Sequence, residues 1–322
     1  MPEWLIERGI GETRAALVDT GEIVEARIEV EGTSPAGSIV AARLVEVGRR
    51  GRNAVARDVS GAEYLLPRGA PGVTEGASLN VEITREAIPG SEPWKRPLAR
   101  GTDEAPCLAP PLAERLGGRQ LNFPGPRDGL GQAGWFDVLQ QARSGIFAFA
   151  GGELRISATA AMTLIDVDGY LDAEELAVTG AAEAAKAIRR LDIGGSIGID
   201  LPTAGSKLAR LRAAEEIDRH LPQPFERTAV NGFGFVQIVR PRTRASLVEL
   251  AQDRAAFEAR ALLRRAAFEA PGPKRLVAHP AVIGVLEQRP GWTAELARQL
   301  GGAISLRPDR ALPISGGYAE SF

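Results

Sequence analysis

The chain has 322 residues, of which 44% are apolar and 25% charged, and its formal net charge is −2. These values are typical of an ordinary globular protein, and no apolar run approaches the roughly 20 residues that a membrane helix needs. The single cysteine, Cys107, excludes an intramolecular disulfide and a cysteine-built zinc site, and two histidines, His220 and His279, argue against a histidine-rich metal centre.

Short alternating strands dominate the beginning of the chain. Residues 1–36 are predicted to form opening strands, and residues 37–87 form further short strands separated by glycine turns. Several short strands at this spacing suit a small barrel, so we predict an OB-like module over residues 37–87. Residues 88–129 are rich in proline and glycine and are predicted to form a linker.

Strands and helices alternate in the rest of the chain. Residues 130–245 are predicted to form an α/β domain, with a strand near 159–167, a helix near 181–190 that begins after Thr179, and a second strand over 196–201. The last segment, residues 246–322, is predicted to form one long helix and a small C-terminal α/β unit. The predicted fold class is therefore α+β: an N-terminal OB-like β-module, a central α/β domain and a small C-terminal α/β unit.

Acidic residues stand at the ends of two predicted strands. Strand alternation places Asp166 and Asp168 on one side of the first strand, and Asp200 lies near the end of the second. Ligands gather outside the carboxyl ends of strands in open α/β sheets, so these carboxylates could share one hard ion, Mg²⁺ or Mn²⁺. Such an ion can activate water and neutralise phosphoryl oxygens during phosphodiester cleavage. The pattern alone leaves open that each aspartate only caps a helix or ties down a turn.

The same two strands carry motifs that resemble the catalytic core of the ribonuclease E/G family. Residues 161–168 read A-M-T-L-I-D-V-D, and residues 192–200 read D-I-G-G-S-I-G-I-D. They resemble the family's "A-I-D-I-N" and "G-G-x-I-x-I-D" motifs, whose two aspartates coordinate the catalytic magnesium and match Asp166 and Asp200. The resemblance implies a deoxyribonuclease-I-like catalytic domain that cleaves single-stranded RNA, leaving 5′-phosphate and 3′-hydroxyl ends.

The resemblance extends over nearly the whole chain. Residues 4–29 resemble the family's opening strands, residues 38–67 its OB-fold RNA-binding module, and residues 233–242 the stretch after the second aspartate. Residues 275–280 and 303–308 resemble its small C-terminal domain. The resemblance therefore implies single-stranded RNA as the partner, in RNA processing or decay.

The chain also departs from the family pattern. Asp168 replaces the usual asparagine, which would either add a metal ligand or hinder the approach of RNA. The zinc-link motif C-P-x-C is absent from the sequence, so we expect no zinc, and an oligomer would form only by other means. Residues 88–129 replace a far longer segment that holds the family's 5′-monophosphate pocket, so we expect no such sensing. Of the module's base-stacking aromatic residues, Tyr64 alone remains.

Basic residues supply the other candidates for RNA contacts. Arg240 and Arg242 point the same way on a predicted strand and could grip phosphate, or else form a solvated edge. Lys95 and Arg96 stand beside Trp94 and could form a basic-aromatic RNA contact, or else anchor a loop.

Together these observations predict a metal-dependent endoribonuclease. Asp166 and Asp200 would be catalytic and hold the metal, and Asp168 is a candidate third ligand. The N-terminus lacks the basic and apolar regions of a signal peptide, so we expect a cytoplasmic protein without membrane contact. One alternative is an RNA-binding protein that kept the family fold and lost activity. A third possibility is a structural subunit of an RNA-processing complex.

Overall fold

A computed structural model describes residues 1–48, 53–89 and 95–321 of the chain. The strands within these ranges are β1 (Glu3–Arg8), β2 (Glu12–Asp19), β3 (Glu22–Val30), β4 (Ile39–Glu46), β5 (Ala54–Asp58), β6 (Glu63–Leu66), β7 (Ser78–Arg85), β8 (Leu98–Thr102), β9 (Arg119–Leu121), β10 (Ile146–Phe149), β11 (Gly152–Ala158), β12 (Thr163–Gly169), β13 (Gly195–Asp200), β14 (Glu226–Arg227), β15 (Phe235–Arg240), β16 (Lys274–Ala278), β17 (Ile304–Pro308) and β18 (Tyr318–Ser321). The helices are α1 (Leu112–Leu116), α2 (Gly129–Gln132), α3 (Trp135–Ser144), α4 (Ala173–Arg190), α5 (Lys207–His220), α6 (Leu247–Leu250), α7 (Arg254–Ala267), α8 (Pro280–Glu287) and α9 (Pro290–Leu300).

This mixture of helices and strands confirms the predicted α+β class. The chain divides into two compact units: the first contains Met1–Glu31, Leu112–Val138 and Leu250–Phe322, and the second contains Gly32–Pro111 and Leu139–Glu249. Across the described ranges, none of the helices is both long and apolar enough to span a membrane.

The first unit contains two sheets. One has the strand order β3-β2-β1-β9, in which β1 is antiparallel to β2 and parallel to β9. The other has β16 at its centre, parallel to β17 and antiparallel to β18. Leu262 of α7, Leu276 of β16 and Leu286 of α8 are buried in one apolar core. The sequence predicted one long helix before this core, but Asp253 caps a new helix there by accepting a hydrogen bond from Ala256 N, so α6 and α7 are separate.

Buried ion pairs connect the first and last segments of the chain within this unit. Glu7 Oε1 lies 2.7 Å from Arg14 Nη1 and 2.9 Å from Arg264 Nε. Glu12 lies 2.6 Å from Arg14 Nε and 2.7 Å from Arg260 Nε. Burial alone would raise the pKa of Glu12, but the arginines outweigh it and lower that pKa. The sequence assigned these two segments to separate domains, whereas the ion pairs tie them together.

The second unit begins with the predicted barrel. Five strands close it in the order β4-β5-β6-β8-β7, around a core that includes Leu44, Leu66 and Val81. Strand β8 comes from residues 88–129, which were predicted to form a linker. It pairs with β6 and β7 and buries Ala99, so this segment completes the barrel, and it also contributes α1 and β9.

The second unit ends with a six-stranded mixed sheet. Its order is β10-β11-β12-β13-β15-β14, and only the central pair, β12 and β13, is parallel within it. A parallel pair needs a crossover connection, which α4 supplies. This helix begins earlier than the sequence predicted, because Asp172 rather than Thr179 caps it by accepting hydrogen bonds from Glu174 N and Glu175 N.

Candidate active site

Asp166 and Asp200 lie side by side at the centre of the six-stranded sheet. They are direct register partners on the parallel strands β12 and β13. Neighbouring strands run about 4.8 Å apart, so the two carboxylates leave the sheet from adjacent positions. Both residues are exposed to solvent. The sequence predicted that these aspartates would lie together, and the register brings them together.

Strand alternation sends both carboxylates to the open face of the sheet. Ile165 and Ile199, their neighbours in sequence, are fully buried on the other face. Helix α4 covers that buried face, since a Cβ added to Gly180 would lie only 2.3 Å from Val167 Cγ1. Asp166 and Asp200 therefore stand on the face opposite α4, where a large ligand could reach them.

Asp168 adds a third exposed carboxylate, two residues after Asp166 on β12. It lies on the same exposed face as Asp166, and its register partner on β11 is Glu153. In the part of the chain that the structure describes, no three or more His, Cys, Asp or Glu side chains form a group that could hold a metal ion. The structure therefore does not bring Asp168 into a three-ligand group with Asp166 and Asp200.

Burial and neighbouring negative charges both act on the pKa of Asp166. Partial burial, and then the negative charges of Asp168 and Asp200, raise the pKa of Asp166 above its ordinary value of 3.8. Arg155, its register partner on β11, acts in the opposite direction. A bound cation would relieve this repulsion, and Mg²⁺ typically uses one or two carboxylates and keeps several waters. The donor set of Asp166 and Asp200 therefore fits such an ion.

Arg155 carries a positive charge directly beside the aspartates in the strand register. Its side chain is 62% exposed, and its Nη2 lies 2.6 Å from Glu153 Oε1. Hydrogen bonding and the charge of Glu153 raise the pKa of Arg155, and Asp168 and Asp166 add to the effect. Arg155 was not among the residues predicted from the sequence. Strand alternation over residues 152–158 could have indicated it, because it puts Arg155 on the polar face of β11.

Phe235 lies on the other side of the two aspartates from Arg155. It is the register partner of Asp200 on β15, and its ring covers Gly198, since a Cβ there would lie 2.6 Å from the ring and 3.0 Å from Met162 Sδ. A glycine inside a strand often marks such a close approach. Gly198, a glycine inside a predicted strand, could therefore have indicated from the sequence that an aromatic ring packs beside the aspartates.

The structure does not bring Arg240 and Arg242 to the aspartates. Strand β15 runs antiparallel to β13, so Phe235 lies beside Asp200 while Arg240 lies beside Gly195 at the other end. Arg240 Nη1 donates to Ile193 O over 3.0 Å, and Arg242 Nη1 lies 2.9 Å from Glu249 Oε1. Both guanidinium groups thus have partners within the protein.

Tyr64 lies inside the barrel, so it cannot offer its ring for base stacking. Only 3% of its surface is exposed, because alternation on β6 points Tyr64 and Leu66 into the core. Its hydroxyl donates to Asp58 Oδ2 over 2.8 Å. Burial and this hydrogen bond raise the pKa of Tyr64 to about 12. The structure therefore does not present the Tyr64 ring at the surface, where the predicted RNA contact would need it.

The predicted basic-aromatic contact lies only partly within the described residues. Trp94 falls outside them. Arg96 Nη1 lies 2.6 Å from Glu63 Oε2, and Lys95 O accepts a hydrogen bond from Ile88 N, so both residues belong to the barrel's own contacts. These contacts agree with the loop-anchoring alternative.

In comparisons with known proteins, no family model and no curated protein matched the chain. The resemblance to ribonucleases E and G therefore rests on the motifs quoted above.

Proposed function

We propose that the protein is a metal-dependent endoribonuclease that cleaves single-stranded RNA in RNA processing or decay. The observation that carries this proposal is the register pairing of Asp166 with Asp200 on an open sheet face. A protein that only bound RNA would gain nothing from two adjacent exposed carboxylates, since they repel each other and the phosphate backbone.

The chemistry divides between the ion and the side chains. Mg²⁺ or Mn²⁺, when bound, supplies an activated water and neutralises charge on the phosphoryl oxygens. Asp166 and Asp200 hold that ion at the centre of the sheet. Asp168 lies next to this pair and adds its negative charge to the surroundings of the ion.

Arg155 orients the phosphate in this proposal. It is exposed, lies across from Asp166, and has its guanidinium group steadied by Glu153. Arginine presents a planar set of donors that matches phosphate oxygens. Arg155 therefore takes the role that the sequence analysis gave to Arg240 and Arg242.

We further propose that the six-stranded sheet domain is deoxyribonuclease-I-like and that the barrel is of the OB type. The closed five-stranded barrel and the sheet with helices α4 and α5 after its central strands support this assignment. Membership of the ribonuclease E/G family is part of the same proposal.

The proposal is tested by incubating the full chain with a 5′-fluorescent single-stranded RNA in Mg²⁺ and in EDTA. We expect cleavage in Mg²⁺ only, and products with 5′-phosphate and 3′-hydroxyl ends. Asp166→Asn and Asp200→Asn should each reduce the rate by at least about 100-fold, since each removes a charge that holds the ion. Asp218→Asn, which alters an exposed aspartate on α5 that pairs with Arg227, is the matched control and should cut normally.

Equal cutting by wild type and by both site variants would contradict the proposal. The alternative is an inactive RNA-binding protein, and one observation favours it: Asp168 adds negative charge where the phosphate would approach. That alternative predicts RNA binding without cleavage in any divalent ion.

A further inference from the structure

Two strongly exposed aromatic side chains lie near the strand ends that follow the aspartate pair. Tyr170 is 85% exposed and Phe233 is 82% exposed. Within the described ranges no other aromatic residue exceeds the 42% of Phe136. Large exposed apolar groups that cluster at one place usually mark an interaction site.

Both lie off the edge of the sheet towards which the strands of Asp166 and Asp200 run. Tyr170 directly follows β12, the strand of Asp166, and Phe233 lies two residues before Phe235, the register partner of Asp200. Strands β12 and β15 flank β13 and lie about 10 Å apart, and the two aromatic residues stand just outside them, at the edge towards which β13 runs.

The backbone holds both residues in place while their rings stay exposed. Tyr170 N donates to Gly151 O over 3.0 Å. Asn231 Oδ1 accepts hydrogen bonds from Phe233 N at 2.9 Å and from Phe235 N at 3.1 Å, and Thr203 Oγ1 donates to Phe233 O over 3.3 Å. A ring on a fixed backbone loses little conformational freedom when a flat ligand packs against it.

We propose that Tyr170 and Phe233 stack on unpaired bases of a single-stranded RNA whose backbone crosses Asp166 and Asp200. This inference rests on the proposed function and adds the part of the substrate that the site recognises. Stacking accepts any base, because every base has a π face, so the site selects single strands rather than a sequence. Bases inside a duplex already stack on one another and cannot use these rings. The barrel does not supply this contact, since Tyr64 is buried.

The test measures binding of a single-stranded RNA decamer that contains 2-aminopurine to the full chain in EDTA, where no divalent ion supports cleavage. We expect saturable binding with quenching of the 2-aminopurine fluorescence. Tyr170→Ala and Phe233→Ala should each raise Kd by about 5- to 150-fold, which corresponds to about 1–3 kcal/mol, and should reduce the quenching. Tyr170→Phe and Phe233→Tyr keep the ring and should stay within about 3-fold of wild type. Tyr318→Ala, at another exposed tyrosine, is the control and should change neither quantity.

Three results would overturn the inference: no measurable RNA binding, unchanged Kd and quenching in both alanine variants, or equal loss in the ring-keeping variants. Displacement of bound RNA by an apolar peptide but not by excess single-stranded DNA would also overturn it, because the rings would then serve a protein partner. The assay needs no catalysis. A protein that binds as expected but never cleaves RNA therefore contradicts the proposed function alone, and a protein that cleaves but shows no ring dependence contradicts this inference alone.

Discussion

Asp166 and Asp200 are direct register partners on the only parallel strand pair of the six-stranded sheet. Parallel strands end at the same edge, and equal alternation sends both carboxylates to the same face. The crossover through α4 thus places two residues that are 34 positions apart in the sequence next to each other. Both carboxylates stand on strands rather than on loops.

Arg155 should contribute to RNA binding, whereas Arg242 should not. Arg155→Ala removes a cation beside Asp166, so it should weaken RNA binding and reduce the slope of log K against log salt by about one. Arg242→Ala breaks a pair with Glu249 at the other end of the sheet and should leave that slope unchanged. Fluorescence anisotropy over a salt series measures both. A larger change in slope for Arg242→Ala would show that RNA crosses the sheet elsewhere.

Gly180 and Gly284 are helix glycines that should respond to alanine with opposite signs. Alanine favours a helix over glycine by about 1 kcal/mol. At Gly180 the new Cβ would lie 2.3 Å from Val167 Cγ1, and the overpacking should outweigh that gain and lower the free energy of unfolding by about 1–3 kcal/mol. At Gly284 nothing lies within 4 Å, so alanine should stabilise the protein by up to about 1 kcal/mol. Urea unfolding of both variants tests this, and a stabilised Gly180→Ala would be inconsistent with α4 packing closely on β12.

Glu7 should be far more important for stability than Glu3 on the same strand. Glu7→Ala removes the carboxylate that buried Arg14 and Arg264 share and leaves them only Glu12 and Asp128, which should cost about 3 kcal/mol, the low end for a broken buried pair. Glu3 and Arg119 are both more than half exposed, so Glu3→Ala should cost less than about 1 kcal/mol. Equilibrium unfolding measures both free energies. Similar values for the two variants would mean that the ion pairs of Glu7 do not hold the first and last segments together.

Tyr64 should contribute to stability but not to RNA binding. Its pKa is raised from 10.0 to about 12, so the stability that its protonated hydroxyl supplies is fully present below pH 10 and is lost as the pH rises through 12. Tyr64→Phe should lower the free energy of unfolding by about 1 kcal/mol at pH 8 and leave the RNA Kd unchanged. Absorbance titration near 295 nm and anisotropy provide the measurements. Weaker RNA binding by this variant would mean that the Tyr64 hydroxyl takes part in RNA contact.

The sequence predicted those features that depend on local pattern. Alternation and the Gly-Gly segment before β13 predicted the two strands that carry Asp166 and Asp200, and both strands exist in the expected order. The closed barrel was also expected from short strands with regular turns. The same local reasoning failed for β8, because proline and glycine around it suggested a linker, while its pairing partners lie far away in the sequence.

Long-range pairings account for the rest of what the sequence did not predict. The bond between Glu7 and Arg264 spans 257 positions, and no local periodicity signals it. Tyr64 looked like a surface aromatic because its motif resembled a binding module, but the face of β6 that it occupies depends on barrel closure. Arg240 was a candidate because it points the same way as Arg242 on a predicted strand, whereas the antiparallel direction of β15 places it at the end of the sheet away from Asp200.

A double-mutant cycle on RNA cleavage tests most directly whether Asp166 and Asp200 act as one site. The rate kcat/KM is measured in Mg²⁺ for wild type, Asp166→Asn, Asp200→Asn and the double variant. If both residues hold the same ion, either single substitution already removes the contribution of that ion to cleavage. The kcat/KM of the double variant should then be no lower than that of the slower single variant. Losses that multiply in the double variant, or single variants that cleave at the wild-type rate, would contradict a shared metal site.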